Sequence, residues 1–181
     1  MKISPKRFWT GVVAPLILFG LLFILSFLGT ETFEPSTLGT SDHTQQYLVE
    51  RIVDGDTLKL SIDGESFTIR LIGIDAPETK HPTKQIECFG KEATAFLTQL
   101  LTDQYVSIEF DPSQGETDRY GRLLLYIWLE DRLINEEMII NGYASEYTYS
   151  SVYKYQQRFK SAEKSAREKR LGLWGDACIS Y

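Results

Sequence analysis

Four side chains between Val53 and Glu78 are of types that do chemistry together: the carboxylates Asp56, Asp75 and Glu78, and the guanidinium of Arg70. Two aspartates at neighbouring strand ends make an all-oxygen site suited to a hard dication such as Ca²⁺ or Mg²⁺. An arginine beside them offers a planar fork that matches phosphate. Taken singly, Asp56 reads as a turn residue and Arg70 as a surface charge. Turn chemistry alone, however, does not call for Asp75-Ala76-Pro77-Glu78 after a strand.

The elements around these residues must bring them together. Thr57 to Ile62 alternates as a strand, with Leu58, Leu60 and Ile62 on one face. Asp63-Gly64 is a two-residue hairpin signal, because such turns need positive φ. Phe67 to Ile74 reads as the returning strand, stopped by Pro77, which lacks a backbone donor. The hairpin carries Asp75 back towards Asp56 and leaves Glu78 on the departing loop.

These residues resemble the staphylococcal nuclease family. The matching segments are Asp54-Gly55-Asp56-Thr57, Phe67 to Leu71 around Arg70, Ile74 to Pro82, Thr117-Asp118-Arg119-Tyr120-Gly121-Arg122, and the ending at Trp174. They run in the family's order from about Leu48 to Trp174, and a match in several parts is far more specific than any single motif. The resemblance implies an α+β fold, a five-stranded OB-fold barrel with three helices. It implies a Ca²⁺-dependent phosphodiesterase of low sequence specificity that acts on DNA and RNA, single-stranded or locally opened, and leaves 3′-phosphate ends. Asp56, Asp75 and the Ala76 carbonyl would hold the metal. The family carries Thr where this chain has Ala76, a change that a backbone ligand survives. Glu78 would orient or deprotonate the attacking water, and Arg70 and Arg122 would bind the phosphate. Arg119, Tyr120, Tyr147 and Tyr149 match substrate-contacting positions, although tyrosines in so tyrosine-rich a stretch also read as surface packing. The alternative is a non-catalytic OB-fold module that binds nucleic acid, but relatives of that kind lose the acidic and arginine positions retained here.

Further along, Gly90 to Leu101 is an amphipathic helix with Ala93, Phe96, Leu97, Leu100 and Leu101 at helical spacing. Tyr105 to Phe110 and Leu123 to Leu129 read as strands, with a loop from Asp111 to Gly121 between them. Ile134 to Asn141 is a short helix that Gly142 caps. Val152 to Arg170 is a long charged helix, after which Trp174 is expected to pack back on the barrel. His81, between lysines and Pro82, reads as a solvated loop residue. With His43 the only other histidine, no zinc cluster is available. Lys84 reads as a solvated charge.

The N-terminus is organised differently. Residues 1–7 are basic, and residues 8–29 carry no charge and are rich in Leu, Ile and Phe. At about 1.5 Å per residue such a helix reaches roughly 33 Å, enough to cross a bilayer core. Basic residues before the span and Glu31 and Glu34 after it put the N-terminus inside. The expectation is a transmembrane signal anchor, a flexible linker over 30–46 and a catalytic domain over 47–181 outside the cytoplasm. The alternative is a cleaved signal peptide and a secreted protein, although the apolar run is long and Phe27 suits a cleavage site poorly.

The formal charge of −6 across 181 residues argues against a protein that coats nucleic acid, which would be basic. An enzyme tolerates it, because a bound cation and local arginines recruit the polyanion. Nothing in the sequence indicates an obligate protein partner. Cys88 and Cys178 are the only cysteines. They would be free thiols in the cytosol, whereas outside it an even count favours a disulfide.

Overall fold

The computed structural model of the chain describes residues 45–79 and 87–179. The expected membrane span, the linker up to residue 44, His81 and Lys84 lie outside the described residues. Among the described residues, no helix is long and apolar enough to cross a membrane.

Five strands close into a barrel. β1 (Tyr47–Asp54), β2 (Thr57–Ile62) and β3 (Glu65–Leu71) form an antiparallel meander. Asp63 and Gly64 turn the β2–β3 hairpin with φ of 52° and 83°, the positive values a tight hairpin turn requires. After β4 (Ile74–Asp75) and helix α1 (Gly90–Leu101), β5 (Tyr105–Glu109) pairs with both β1 and β6 (Leu123–Leu129). β6 then runs parallel to β3, with Arg70 opposite Leu124, and this pairing closes the barrel. β7 (Arg132–Leu133), helix α2 (Ile134–Ile140), β8 (Ser145–Glu146), helix α3 (Gln156–Glu168), a 3₁₀ turn at Gly172–Trp174 and a one-turn helix α4 (Asp176–Ile179) complete the chain. The fold is α+β, a closed five-stranded barrel with helices, consistent with an OB-fold.

Alternation fills the barrel: Leu58, Leu60, Ile69, Leu71, Leu125 and Ile127 are all buried. α1 buries Ala93, Leu97 and Leu101, four residues apart on one stripe. α2 adds Ile134, Met138 and Ile139, and α3 adds Phe159, Ala162 and Ala166.

Three expectations about elements need correction. The returning strand does not run to Ile74. β3 ends at Leu71, and Gly73, at φ 77°, breaks the chain into a corner. A Cβ at Gly73 would come within 2.6 Å of the Tyr153 ring, so no other residue fits there. Ile74 and Asp75 then pair with Glu146 and Ser145 as a separate small ribbon. The last helix begins at Gln156 rather than Val152, because residues before it are committed to tertiary bonds. The Lys154 N–H donates to Asp111 Oδ2 (2.7 Å) and the Tyr153 hydroxyl to Gly73 O (3.2 Å) and Glu146 Oε1 (2.8 Å). Trp174 packs on α3 rather than the barrel, under the Arg167 guanidinium at 3.6 Å from the ring centroid.

Candidate active site

The site is built where β2, β3 and β6 meet the corner at Gly73. Thr57 opens β2 and sits in register with Arg70, so Asp56 faces the guanidinium across the ladder. Gly55 lets that turn seat against the corner's exit. A Cβ there would lie 2.7 Å from the Ala76 Cβ and 2.9 Å from that of Ala93 on α1. This contact brings Asp56 beside Asp75 and Ala76, and the Ala76 N–H reaches Asp56 Oδ2 at 3.3 Å.

Arg70 is the hub. One terminal nitrogen, Nη2, lies 3.1 Å from Asp56 Oδ2 and 3.0 Å from Asp75 Oδ1. The other, Nη1, donates to the carbonyls of Leu71 and Ile74, each at 2.7 Å. The same side chain therefore holds both carboxylates and spans the corner that positions one of them. Burial raises the Asp75 pKa. Arg70 opposes this, but Asp56, Glu87 and Glu78 all push it further up, and the net shift is upward. Carboxylates outnumber the single guanidinium in this hollow, and every donor is a hard oxygen. That chemistry suits a divalent cation. Among the described residues, no three or more His, Cys, Asp or Glu side chains converge as a closed metal cage. A site here would be open, made of two carboxylates, backbone oxygen and solvent.

Arg122 comes from the start of the β6 segment, after Gly121 at φ 77°. Asp118 grips it. Asp118 Oδ2 accepts from Arg122 Nε (2.7 Å), and Oδ1 accepts from the backbone N–H groups of Tyr120 (2.9 Å) and Arg122 (3.0 Å). Burial works to raise the Asp118 pKa, but these bonds and the Arg122 charge hold it below the usual carboxylate range. Arg122 Nη1 approaches the Thr57 hydroxyl at 3.4 Å, and that hydroxyl donates to Asp56 Oδ1 at 2.7 Å. A continuous polar chain thus runs Asp118–Arg122–Thr57–Asp56–Arg70–Asp75 across the base of the site.

A cleft of about 560 Å³ opens over this chain, and Arg70, Asp75, Arg119, Tyr120, Arg122, Tyr147 and Tyr149 all line it. The Arg119 guanidinium stacks 4.8 Å from the Tyr120 ring centroid. Tyr147 and Tyr149 line the same cleft, both exposed, with centroids 6.4 Å apart. Asp56 and Ala76 are not among the residues that line it.

Glu78 does not line the cleft; it stands on the loop towards α1, near enough to Asp75 for its charge to raise that carboxyl's pKa. The adjoining Asp54 anchors that loop, its Oδ1 accepting from Gly55 N (2.9 Å), Thr79 Oγ1 (2.9 Å) and Thr94 Oγ1 (3.0 Å). Burial would raise the Asp54 pKa, but hydrogen bonding with the Glu78 side chain, Gly55, Thr79 and Thr94 lowers it on balance.

Sequence reasoning passed over Thr57, Asp118, Asp54 and Asn135. The first three stand inside the motifs named above and are visible there as donor and acceptor types close to Asp56 and Arg122. Asn135 has no sequence signal. It is fully buried, accepts from Ile127 N–H (3.0 Å) and donates to Ile72 O (2.9 Å) and Leu125 O (3.3 Å), bolting the Gly73 corner to β6.

Barrel, cleft and paired arginines over carboxylates define a protein that handles phosphate esters. A profile of staphylococcal nuclease homologues matches residues 68–176. The chain is 37% identical over 175 residues to a thermonuclease of Staphylococcus hyicus, covering 94% of this chain and 99% of the relative. It is 36% identical over 169 residues to a thermonuclease of Staphylococcus intermedius, covering 93% and 98%. It is 34% identical over 127 residues to the SPbeta prophage-derived endonuclease YokF of Bacillus subtilis, covering 70% of this chain and 43% of that one. The chain belongs to the staphylococcal nuclease family. It is a nuclease, a hydrolase whose substrates are nucleic acids, and the non-catalytic alternative falls away.

Proposed function

We propose that the chain is a calcium-dependent phosphodiesterase of low sequence specificity that cleaves DNA and RNA outside the cytoplasm, leaves 3′-phosphate ends and is anchored through residues 8–29. The polar chain joining Arg122 to Arg70 through Thr57 and Asp56 carries this reading. It sets two guanidinium groups on one cleft floor with carboxylates between them, the arrangement an in-line displacement at phosphorus requires.

Asp56, Asp75 and the Ala76 carbonyl would hold the cation, which when bound supplies Lewis-acid charge neutralisation at the phosphoryl oxygens. Arg122, with Nε fixed by Asp118 and Nη1 resting on the Thr57 hydroxyl, presents its remaining N–H donors to the phosphate. Arg70 contributes from the opposite side while keeping the corner at Gly73 closed. Glu78 orients or deprotonates the attacking water. Tyr147 and Tyr149, in the same cleft as Arg119 and Tyr120, offer aromatic faces to the flanking bases, which suits an extruded or single strand better than a closed duplex.

Digestion of single-stranded DNA by the full chain in Ca²⁺, against the same reaction with chelator, tests the chemistry. Equal rates in both would overturn the metal assignment. Protease added to intact cells, or to spheroplasts where an outer membrane is present, tests the location. The domain should be removed, and its protection in both preparations would place it in the cytoplasm.

A further inference from the structure

The disulfide sits against the loop that carries Glu78. Glu87 clasps Glu78 from both sides of the peptide: the Glu87 N–H donates to Glu78 O, and Glu87 Oε2 accepts from the Glu78 N–H, each at 3.1 Å. Gly90 presses on the same stretch, where a Cβ would come within 2.9 Å of Pro77 O and Thr79 Cγ2. Between these two residues Cys88 is bonded to Cys178, with Cα atoms 5.7 Å apart. Cys178 belongs to a C-terminal turn docked on the end of α2, where Leu173 N–H donates to Gly142 O at 2.8 Å. The end of α2 is thus tied through Leu173 and Cys178 to Cys88, Glu87 and Glu78.

We infer that Glu87 is a positioning residue for Glu78, and that the Cys88–Cys178 bond fixes it, so that nuclease turnover depends on the oxidation state of this pair. The inference rests on the water-orienting role given to Glu78. The reductant is a dithiol. It supplies two electrons and two protons, the S–S bond breaks, both cysteines become thiols, and the dithiol closes to its own disulfide. The Phe89 ring stays stacked on Tyr143 at 5.4 Å, so the turn keeps an apolar anchor when the bond opens. Placement is lost before fold.

The test uses the full chain with single-stranded DNA and saturating Ca²⁺, at a temperature where far-UV circular dichroism shows the reduced protein folded. Glu87→Ala and reduced wild type should each lose about tenfold in kcat with KM within twofold, the scale of a misplaced catalytic group. Reduction should then cost Glu87→Ala nothing further, and Glu87→Gln, whose amide oxygen still accepts from the Glu78 N–H, should recover most of the loss. Unchanged kcat in Glu87→Ala would overturn the inference, even if the reduced wild type proved too unstable to assay. A reduced protein with a lower thermal midpoint but full kcat would overturn it too, leaving a bond that serves stability alone. Glu78→Gln separates the two ideas. If that variant keeps full activity, the role of Glu78 fails first. If it is inactive while Glu87→Ala and reduction leave kcat untouched, only the positioning claim fails.

Discussion

Replacing Arg122 by Lys keeps the charge and removes a geometry. In the structure Nε is committed to Asp118 Oδ2 at 2.7 Å and Nη1 makes only a long 3.4 Å contact with the Thr57 hydroxyl, so the terminal nitrogens keep donors for the cleft that Arg122 lines. A lysine replaces the planar fork by one compact ammonium, so it cannot hold Asp118 through one nitrogen while presenting two others to the phosphate in fixed geometry. The loss expected is that of one preorganised donor in the transition state, about 10²–10³ in kcat, or roughly 3–4 kcal/mol. Stability should barely move, because the Arg122–Asp118 pair is partly exposed and such pairs contribute under about 1 kcal/mol. Arg70→Lys differs by the same structural logic. It should also lose at least about a hundredfold in turnover. In addition it gives up the two carbonyl bonds that hold the Gly73 corner, a loss of about 1–3 kcal/mol in unfolding free energy. Steady-state digestion of single-stranded DNA, with urea denaturation run in parallel, reads both quantities. An Arg122→Lys enzyme within a few-fold of wild type would refute the reasoning and return Arg122 to the role of a surface charge.

Asp56→Ala and Asp75→Ala should each abolish detectable cleavage in Ca²⁺ while circular dichroism stays native, and full activity in either would remove it from the metal site. Asn135→Leu strands the Ile127 amide and the Ile72 carbonyl and leaves Leu125 O with the Ile72 N–H alone, so about 3 kcal/mol should disappear from a urea unfolding curve. Asp111 is one source of acid sensitivity. Burial raises its pKa, but the Lys154 and Ser113 amides and the Ser113 and Tyr126 hydroxyls more than offset this and hold it below the usual value. A lowered carboxyl contributes stability above its unfolded pKa of about 3.9 and loses it as pH falls through the folded value. The stability difference between wild type and Asp111→Asn should therefore be flat from neutrality to about pH 5 and shrink below about pH 4. A difference that grows on acidification would contradict that assignment.

Much of this molecule can be read along the chain, because much of it is built from local interactions. The Asp63-Gly64 turn and the alternation on either side set the β2–β3 register, and that register puts Thr57 across from Arg70, with Asp56 next to it and within reach of the guanidinium. Residues 93, 97 and 101 declare the buried face of α1 by their spacing. Asp56, Asp75 and both arginines stand in motifs that are recognisable without coordinates.

The rest depends on contacts between segments far apart in sequence, about which periodicity carries no information. Gly73 reads as a strand residue until Tyr153, eighty positions on, packs where a Cβ would sit. Asn135 reads as a polar residue near a helix start, and only the closed barrel turns it into the bolt behind the corner. Above all, the parallel pairing of β3 with β6 carries the two arginines onto one floor. A parallel neighbour needs a long crossover and leaves no hairpin signal in the chain. Residue types and local register were therefore written in the sequence, whereas the meeting of Arg70, Thr57 and Arg122 was decided by barrel closure.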